Sequence, residues 1–354
     1  MNMKFLEIES LPEFDNHKFL IFINDLKVGL KAFVAVHNDN LGPGTGGTRM
    51  WVYTSDTDAV KDALNLSKAM TYKCALANVP FGGSKGVIIG DPNSQNKLNI
   101  LKAYANAFNS LGGITTGTDV GISEEDVEEM SKFSKYILGS DTKKKINNGF
   151  ATSLGVYGSI KGAAEKIWGT ESLTNKSLAI KGLGKTGMEL LDLIYKETEN
   201  ILVAEIDRAK IKIAKDKYPN IKVINPSSIH KEKVDIFSPC ALGGDINPDT
   251  AKELKCQLIA GSANNQLSNT IMGEWLNKHG ILYLPDYVVN AGGLINVVDE
   301  LQKGGYKKGR VYKKISNIRT TITKIIDLSL DLNKSTNSIA DELAKKIFTR
   351  NEAN

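Results

Sequence analysis

Histidine is scarce in this sequence: four among 354 residues, His17, His37, His230 and His279. None falls in an HExxH motif or beside clustered cysteines and carboxylates, so no structural zinc and no His-ligated catalytic metal is expected. Cysteine is rarer still, at Cys74, Cys240 and Cys256. An odd count without a CxxC spacing argues against a disulfide framework and fits free thiols in a reducing cytoplasm. No apolar run approaches the ~18–20 residues of a membrane-spanning helix. Acids at Glu7 and Glu9, with no long apolar core near them, argue against a signal peptide. The net charge of +5 is small for the length, and the densest basic run is only Lys143-Lys144-Lys145. That run reads as a solvated loop, and neither nucleic acid nor membrane is an expected partner. Internal repeats and low-complexity segments are lacking too.

One local absence is more informative. Met70–Gly90, MTYKCALANVPFGGSKGVIIG, contains two lysines, Lys73 and Lys85, and no acidic residue. Lysines normally sit among other charges on solvated faces. Two amines lining one cavity would lower each other's pKa by repulsion and desolvation. One could then hold a carboxylate while the other handles protons. The stretch alone reads first as a helix end and a buried strand with two snorkelling lysines.

At 354 residues and 41% hydrophobic content the chain is long enough for two domains, each with its own core. Residues 28–37 read as a strand, followed by a glycine-rich loop, Leu41–Met50, that holds a single arginine. Ser55 and Asp56 offer a cap for a helix carrying Ala59, Val60, Ala63, Leu64 and Met70 toward Lys73. A buried strand, Val87–Ile89, precedes a helix with Leu98, Leu101, Ala105 and Phe108 on one side, ended by Gly112-Gly113. Asp119 lies among threonines and glycines, off any solvated helix face. Ser123 and Asp126 form a loose capping box. Lys143–Phe150 reads as a loop or hinge, and helical spacing resumes from Thr152.

The second half alternates short apolar strands (Leu178–Ile180, Ile201–Ala204, Ile221–Ile224, Val234–Phe237, Leu258–Ala260, Ile281–Tyr283) with helical patterns, which predicts a parallel, doubly wound sheet. Helices are expected from about Lys313 and over Ser335–Ile347. Gly182-Leu183-Gly184-Lys185-Thr186-Gly187 is a GxGxxG placed directly between a strand and a helix. Such glycines permit a tight turn and close approach of a pyrophosphate to a helix N-terminus. Glu205 ends the next strand, about 20 residues on, where a carboxylate accepts from ribose hydroxyls and repels a 2′-phosphate. This favours NAD over NADP, with Asp207 beside it; Arg208 and Lys210 read as a solvated helix start.

These residues add up to a resemblance. GGTRMW (Gly46–Trp51), MTYK (Met70–Lys73), GGSKGVIIGDP (Gly82–Pro92), TDVG (Thr118–Gly121), the GxGxxG, SPCALGG (Ser238–Gly244), IAGSANNQL (Ile259–Leu267) and PDYVVNAGGLINVVDE (Pro285–Glu300) occur in order. Together they resemble the Glu/Leu/Phe/Val dehydrogenases, in the leucine and phenylalanine branch. The resemblance implies a two-domain α/β protein with its active site in the cleft between domains. Residues 1–150, completed by a C-terminal helix at about 325–354, would be the substrate-binding and oligomerisation domain; residues 151–324 would be the Rossmann-type NAD-binding domain.

The implied reaction is NAD-dependent, reversible oxidative deamination of a hydrophobic L-amino acid to the 2-oxo acid and ammonia, leucine or a branched-chain substrate first and phenylalanine as the alternative. By position, Lys73 would bind the substrate carboxylate, Lys85 would be the low-pKa lysine activating water, and Asp119 would shuttle protons. The backbones of Gly46 and Gly47 would approach the substrate, with Met70, Thr45, Gly117, Asn265, Leu294 and Val297 also around it. Thr152, Ala241, Asn265 and Asn290 would lie near the nicotinamide, and Gly182, Gly184, Lys185, Thr186, Gly187, Glu205 and Asp207 would hold the rest of NAD. A homo-oligomer follows from the same resemblance.

Three positions depart from the leucine pattern. Thr45 replaces the leucine of leucine enzymes and the lysine of glutamate enzymes, which disfavours an acidic substrate. Gly117 and Leu294, in place of alanine and valine, look more like the phenylalanine branch; loss of a methyl at Gly117 would leave room for a ring. The GFAT before Ser153 departs from a proline-valine pair, for which there is no physical account. A 2-hydroxy-acid dehydrogenase would call for a His–carboxylate pair as acid and base, and the four histidines sit in no such arrangement along the sequence. A non-catalytic NAD-binding protein would leave Lys73, Lys85 and Asp119 unexplained.

Overall fold

A computed structural model describes residues 7–140, 145–198 and 200–349. They form two compact units, 7–140 with 344–349 and 145–343. The sequence-based boundary near 150 thus stands beside a structural division at 144/145, and the C-terminal return to the first unit begins at Ala344.

The first unit is a mixed sheet flanked by helices. Its strands are β1 (Phe19–Asp25), β2 (Leu30–Asn38), β3 (Gly44–Thr45), β4 (Thr48–Trp51) and β5 (Gly82–Ile89). The order is β1-β2-β5, with β3 and β4 both parallel to β5 and β2 antiparallel to it. Helices are α1 (Asp56–Leu76), α2 (Lys97–Phe108) and α3 (Glu124–Ser131). Ser55 caps α1 by accepting from the Asp58 N–H, and Ser123 and Asp126 form the full capping box of α3. One face of the sheet packs α2 and α3 through Leu101, Tyr104, Phe108, Val127 and Met130. The other packs α1 through Ala59, Val60, Ala63 and Leu64.

The second unit is a six-stranded, all-parallel sheet: β6 (Leu178–Lys181), β7 (Ile201–Ala204), β8 (Lys222–Val223), β9 (Ile236–Pro239), β10 (Leu258–Ile259) and β11 (Leu282–Tyr283). Its order, β11-β10-β9-β6-β7-β8, is the doubly wound arrangement with a switch point between β6 and β9. The remaining helices are α4 (Asn148–Trp168), α5 (Lys185–Ile194), α6 (Arg208–Lys217), α7 (Pro248–Ala251), α8 (Ile271–Lys278), α9 (Asp286–Val289), α10 (Gly292–Val298), α11 (Lys308–Leu332) and α12 (Thr336–Thr349).

Several local expectations are corrected. β1 has no counterpart in the sequence reading, because an edge strand with Phe19 and Phe22 exposed lacks clean alternation. The glycine-rich loop contains β3 and β4, stitched to β5 through backbone pairing. β5 begins at Gly82, five residues before the apolar run, so Lys85 stands within a strand. Leu98 is largely exposed and not part of the buried side of α2. Helix α4 starts at Asn148, because the Asn147 side chain accepts from the Phe150 N–H; the expected loop therefore ends at Asn147, and Lys143 and Lys144 lie outside the described residues. Among the described residues no helix is long and apolar enough to cross a membrane, and no three His, Cys, Asp or Glu side chains group as metal ligands. The three cysteines are buried, unbridged thiols.

Candidate active site

In the first unit the chemistry gathers at the centre of the sheet. Lys85, projecting from β5, is 6% exposed, and its Nζ lies 3.1 Å from Asp119 Oδ1. The other oxygen of Asp119 accepts from Arg49 Nε at 2.9 Å. Arg49, on β4, reaches with NH1 to Asp62 on α1, at 2.9 and 3.2 Å from its two oxygens, and Asp62 also accepts from Tyr53 Oη at 2.5 Å. Burial opposes ionisation of Asp119, but Lys85 and Arg49 outweigh it and hold its carboxyl below the usual range. Burial likewise disfavours the Arg49 charge, and Asp119 and Asp62 more than restore it. The lysine-rich stretch, acid-free in sequence, acquires its carboxylate from a segment 34 residues on.

Gly46 and Gly47 thread between these groups. A Cβ on Gly46 would sit 1.8 Å from the Ser84 carbonyl oxygen, and one on Gly47 would sit 2.4 Å from that of Thr118. Only glycine lets the β3–β4 link pass this close to the backbones flanking Lys85 and Asp119. Thr45 is fully buried and its hydroxyl accepts from Thr115 Oγ1 at 2.8 Å. Gly117 accepts the Thr48 N–H through its carbonyl. A methyl there would lie 3.0 Å from the Leu138 carbonyl oxygen. The missing methyl therefore relieves a close contact with that backbone oxygen. Met70 and Lys73 are both half-buried on α1, three residues apart and so on neighbouring positions of one face. Lys73 occupies the last turn, where the helix dipole favours a cation.

In the second unit the corresponding device is backbone. The loop after β6 turns at Gly182 (φ +101°), whose Cβ would lie within 3.0 Å of Ala241 in the loop after β9. These two loops therefore abut at the switch point. A Cβ on Gly187 would strike the Gly182 carbonyl oxygen at 1.9 Å, whereas the Cα of Gly184 faces open space. Lys185, at the start of α5, is exposed, and Thr186 bonds Ser262. Glu205 accepts from the N–H groups of Leu183 (2.7 Å), Ile206 (2.8 Å) and Asp207 (3.1 Å). Burial opposes its charge, and these donors keep its carboxyl below the ordinary glutamate range. Asp207 caps α6 by accepting from the Ala209 N–H.

The remaining positions cluster near the start of α10. Asn290 donates from Nδ2 to Ser262 and Asn264, while its buried Oδ1 has no hydrogen-bond partner. Thr152, at the start of the second turn of α4, would meet a Cβ on Gly293 at 2.8 Å. Leu294 and Val297 are half-buried on α10. Asn265 is exposed with φ +53°, its N–H held by Asp286 Oδ2 at 2.5 Å. A nicotinamide dinucleotide fits this donor set: the open Gly184 loop suits a pyrophosphate, Glu205 suits ribose, and the orphaned Asn290 oxygen can accept from a carboxamide.

A family model described as the dimerisation domain of Glu/Leu/Phe/Val dehydrogenases matches residues 22–139. A second, described as glutamate/leucine/phenylalanine/valine dehydrogenase, matches residues 196–327. The leucine dehydrogenase of Bacillus subtilis (strain 168) is 37% identical over 98% of this chain and 95% of its own. The chain belongs to the Glu/Leu/Phe/Val dehydrogenase family. It is accordingly an oxidoreductase of amino acids. The phenylalanine dehydrogenase of Thermoactinomyces intermedius is 40% identical over 92% of this chain and 90% of its own. The crystal structure of L-tryptophan dehydrogenase from Nostoc punctiforme superposes with a TM-score of 0.81 at 38% identity, covering 95% of this chain and 97% of that one.

Within this family frame, Arg49 is the residue that the sequence reading passed over. Its signal was present: it is the single arginine of the glycine-rich loop, inside the GGTRMW block. Only the fold brings it to Asp119, 70 positions away.

Proposed function

We propose that the protein catalyses NAD-dependent, reversible oxidative deamination of a hydrophobic L-amino acid, with leucine and its branched-chain relatives as the principal substrates. The observation carrying this reading is the buried Lys85–Asp119 pair, 3.1 Å apart, with Gly46 and Gly47 packed against the backbones that carry it. Lys73 holds the substrate carboxylate. NAD, which the Gly182–Gly187 loop and Glu205 would hold, would supply the hydride acceptor for the substrate Cα, so that the substrate becomes a cationic imine. Lys85 takes a proton as water adds to the imine carbon, and Asp119 passes protons to and from the departing amino group. Gly46 and Gly47 keep the β3–β4 link against the backbones that carry Lys85 and Asp119. No cationic side chain takes the place of Thr45, whose hydroxyl pairs with Thr115, so an acidic side chain finds no partner there.

Glu205 supports NAD over NADP, because its ionised carboxylate repels a 2′-phosphate. Aromatic amino acids are a second reading. It is favoured by the 40% identity to the phenylalanine enzyme, against 37% for the leucine enzyme. A homo-oligomer is supported by the match to a dimerisation domain, and a cytoplasmic location by the buried, unbridged thiols. The test is a spectrophotometric screen of L-amino acids with NAD and NADP at alkaline pH. Reduction of NAD with leucine or valine supports the reading; a preference for phenylalanine or tryptophan selects the aromatic alternative. No reduced cofactor with any of them refutes both.

A further inference from the structure

Asp119 is held by two cations, and the mechanism above uses only one. Lys85 approaches Oδ1 at 3.1 Å and Arg49 Nε approaches Oδ2 at 2.9 Å. Arg49 is not a mobile surface arginine. It is about three-quarters buried, and its NH1 is clamped by both oxygens of Asp62. Asp62 is in turn fixed by the Tyr53 hydroxyl. Four side chains from β4, the segment after it, α1 and the 119 loop thus form one continuous line ending at the Lys85 amine.

We infer that Arg49 is a positioning residue for the proton-transfer step, fixing the rotamer and the charge of Asp119 and, through Asp119, the place of the Lys85 amine. The inference rests on the proposed dehydrogenase reading. A planar guanidinium suits this task because its fork engages two carboxylates at once in fixed directions. A lysine would supply charge to one of them only. The charged groups facing Asp119 are Lys85 from β5 and Arg49 from β4, with Asp62 from α1 and Tyr53 behind Arg49. Removal of Arg49 leaves Asp119 desolvated with a single cation, so its carboxyl ionises at higher pH.

The experiment compares Arg49→Gln, Arg49→Lys and Asp62→Asn with the parent enzyme. For Arg49→Gln the inference expects kcat to fall on the order of ten- to a hundredfold with the amino-acid KM little changed. The acid limb of the kcat/KM profile should move toward alkaline pH by about one pH unit or more. Arg49→Lys should return the limb most of the way but recover kcat only in part, and Asp62→Asn should shift both in the same direction by less. A second readout needs no turnover: carbon-13 NMR of aspartate-labelled protein, with the Asp119 signal assigned by its loss in Asp119→Asn. Its titration midpoint should rise in Arg49→Gln and return in Arg49→Lys. A parent protein without dehydrogenase activity would sink the reaction while this titration still judged the positioning. Unchanged limbs and midpoints in the Arg49 variants, alongside a mere loss of thermal stability, would overturn the inference. If Arg49→Gln does not fold, Arg49→Lys and Asp62→Asn decide by the same two readouts.

Discussion

The two units build their sites from different materials. The first uses side-chain charge: Lys85, Asp119, Arg49 and Asp62 come from four separate segments and constrain one another by ion pairs. The second uses main chain: a turn at Gly182, a helix N-terminus at α5, and N–H groups that even hold the acidic side chain of Glu205. The difference has a chemical reason. Proton chemistry needs groups whose charge can be tuned by neighbours, whereas a pyrophosphate needs fixed dipoles at close range and no bulk in the way.

That contrast can be broken most forcefully in the second unit. Gly187→Val would press its Cβ onto the Gly182 carbonyl, 1.9 Å away. NADH affinity, read by fluorescence titration, is expected to fall more than about a hundredfold, a large effect of the kind that steric conflict at a special backbone position produces. Near-normal affinity would show that the loop yields. A smaller effect is expected at Glu205, where Glu205→Ala removes the carboxylate without crowding the glycines. The ratio of kcat/KM for NAD over NADP should drop about ten- to a hundredfold, the worth of a charged hydrogen bond; an unchanged ratio would place cofactor discrimination elsewhere.

The smallest effect concerns the first unit's stability. His37 is buried against Thr71, His17 and Phe348. Burial, with His17 alongside, depresses its pKa to about 4 despite Asp15 at 3.4 Å. Unfolded, it titrates near 6.5. As pH falls from about 6.5 to about 4, the unfolded chain binds a proton that the folded chain refuses, so stability drops across that window by on the order of 2–3 kcal/mol. His37→Gln should flatten the dependence in urea melts at pH 7 and pH 4.5. His17, whose pKa is also lowered by burial, would leave part of the slope in place. An unaltered slope would mean that His37 is not its source.

The same contrast explains what the sequence could show. A backbone site needs neighbours in sequence, so GxGxxG, the strand before it and Glu205 were legible as one run, and the alternating pattern gave the parallel sheet. A side-chain site needs neighbours in space. Lys73 and Lys85 stand out by the absence of acids around them, but Asp119, the partner of Lys85, is reached only through family resemblance, and Arg49 is visible only as a lone arginine. The β3 and β4 strands were hidden because four glycines and a proline mask extended pairing. Gly117 shows the limit most plainly: only the fold reveals the Leu138 carbonyl oxygen standing 3.0 Å from where a methyl would lie.

The division of labour itself is tested by Lys85→Ala. The account predicts that turnover with the best amino acid falls by at least about a thousandfold, as loss of a general base or acid commonly costs, while NADH affinity stays within about twofold of the parent, because the nucleotide loop and Glu205 belong to the other unit. Substantial turnover in that variant, or loss of cofactor binding together with turnover, would contradict it.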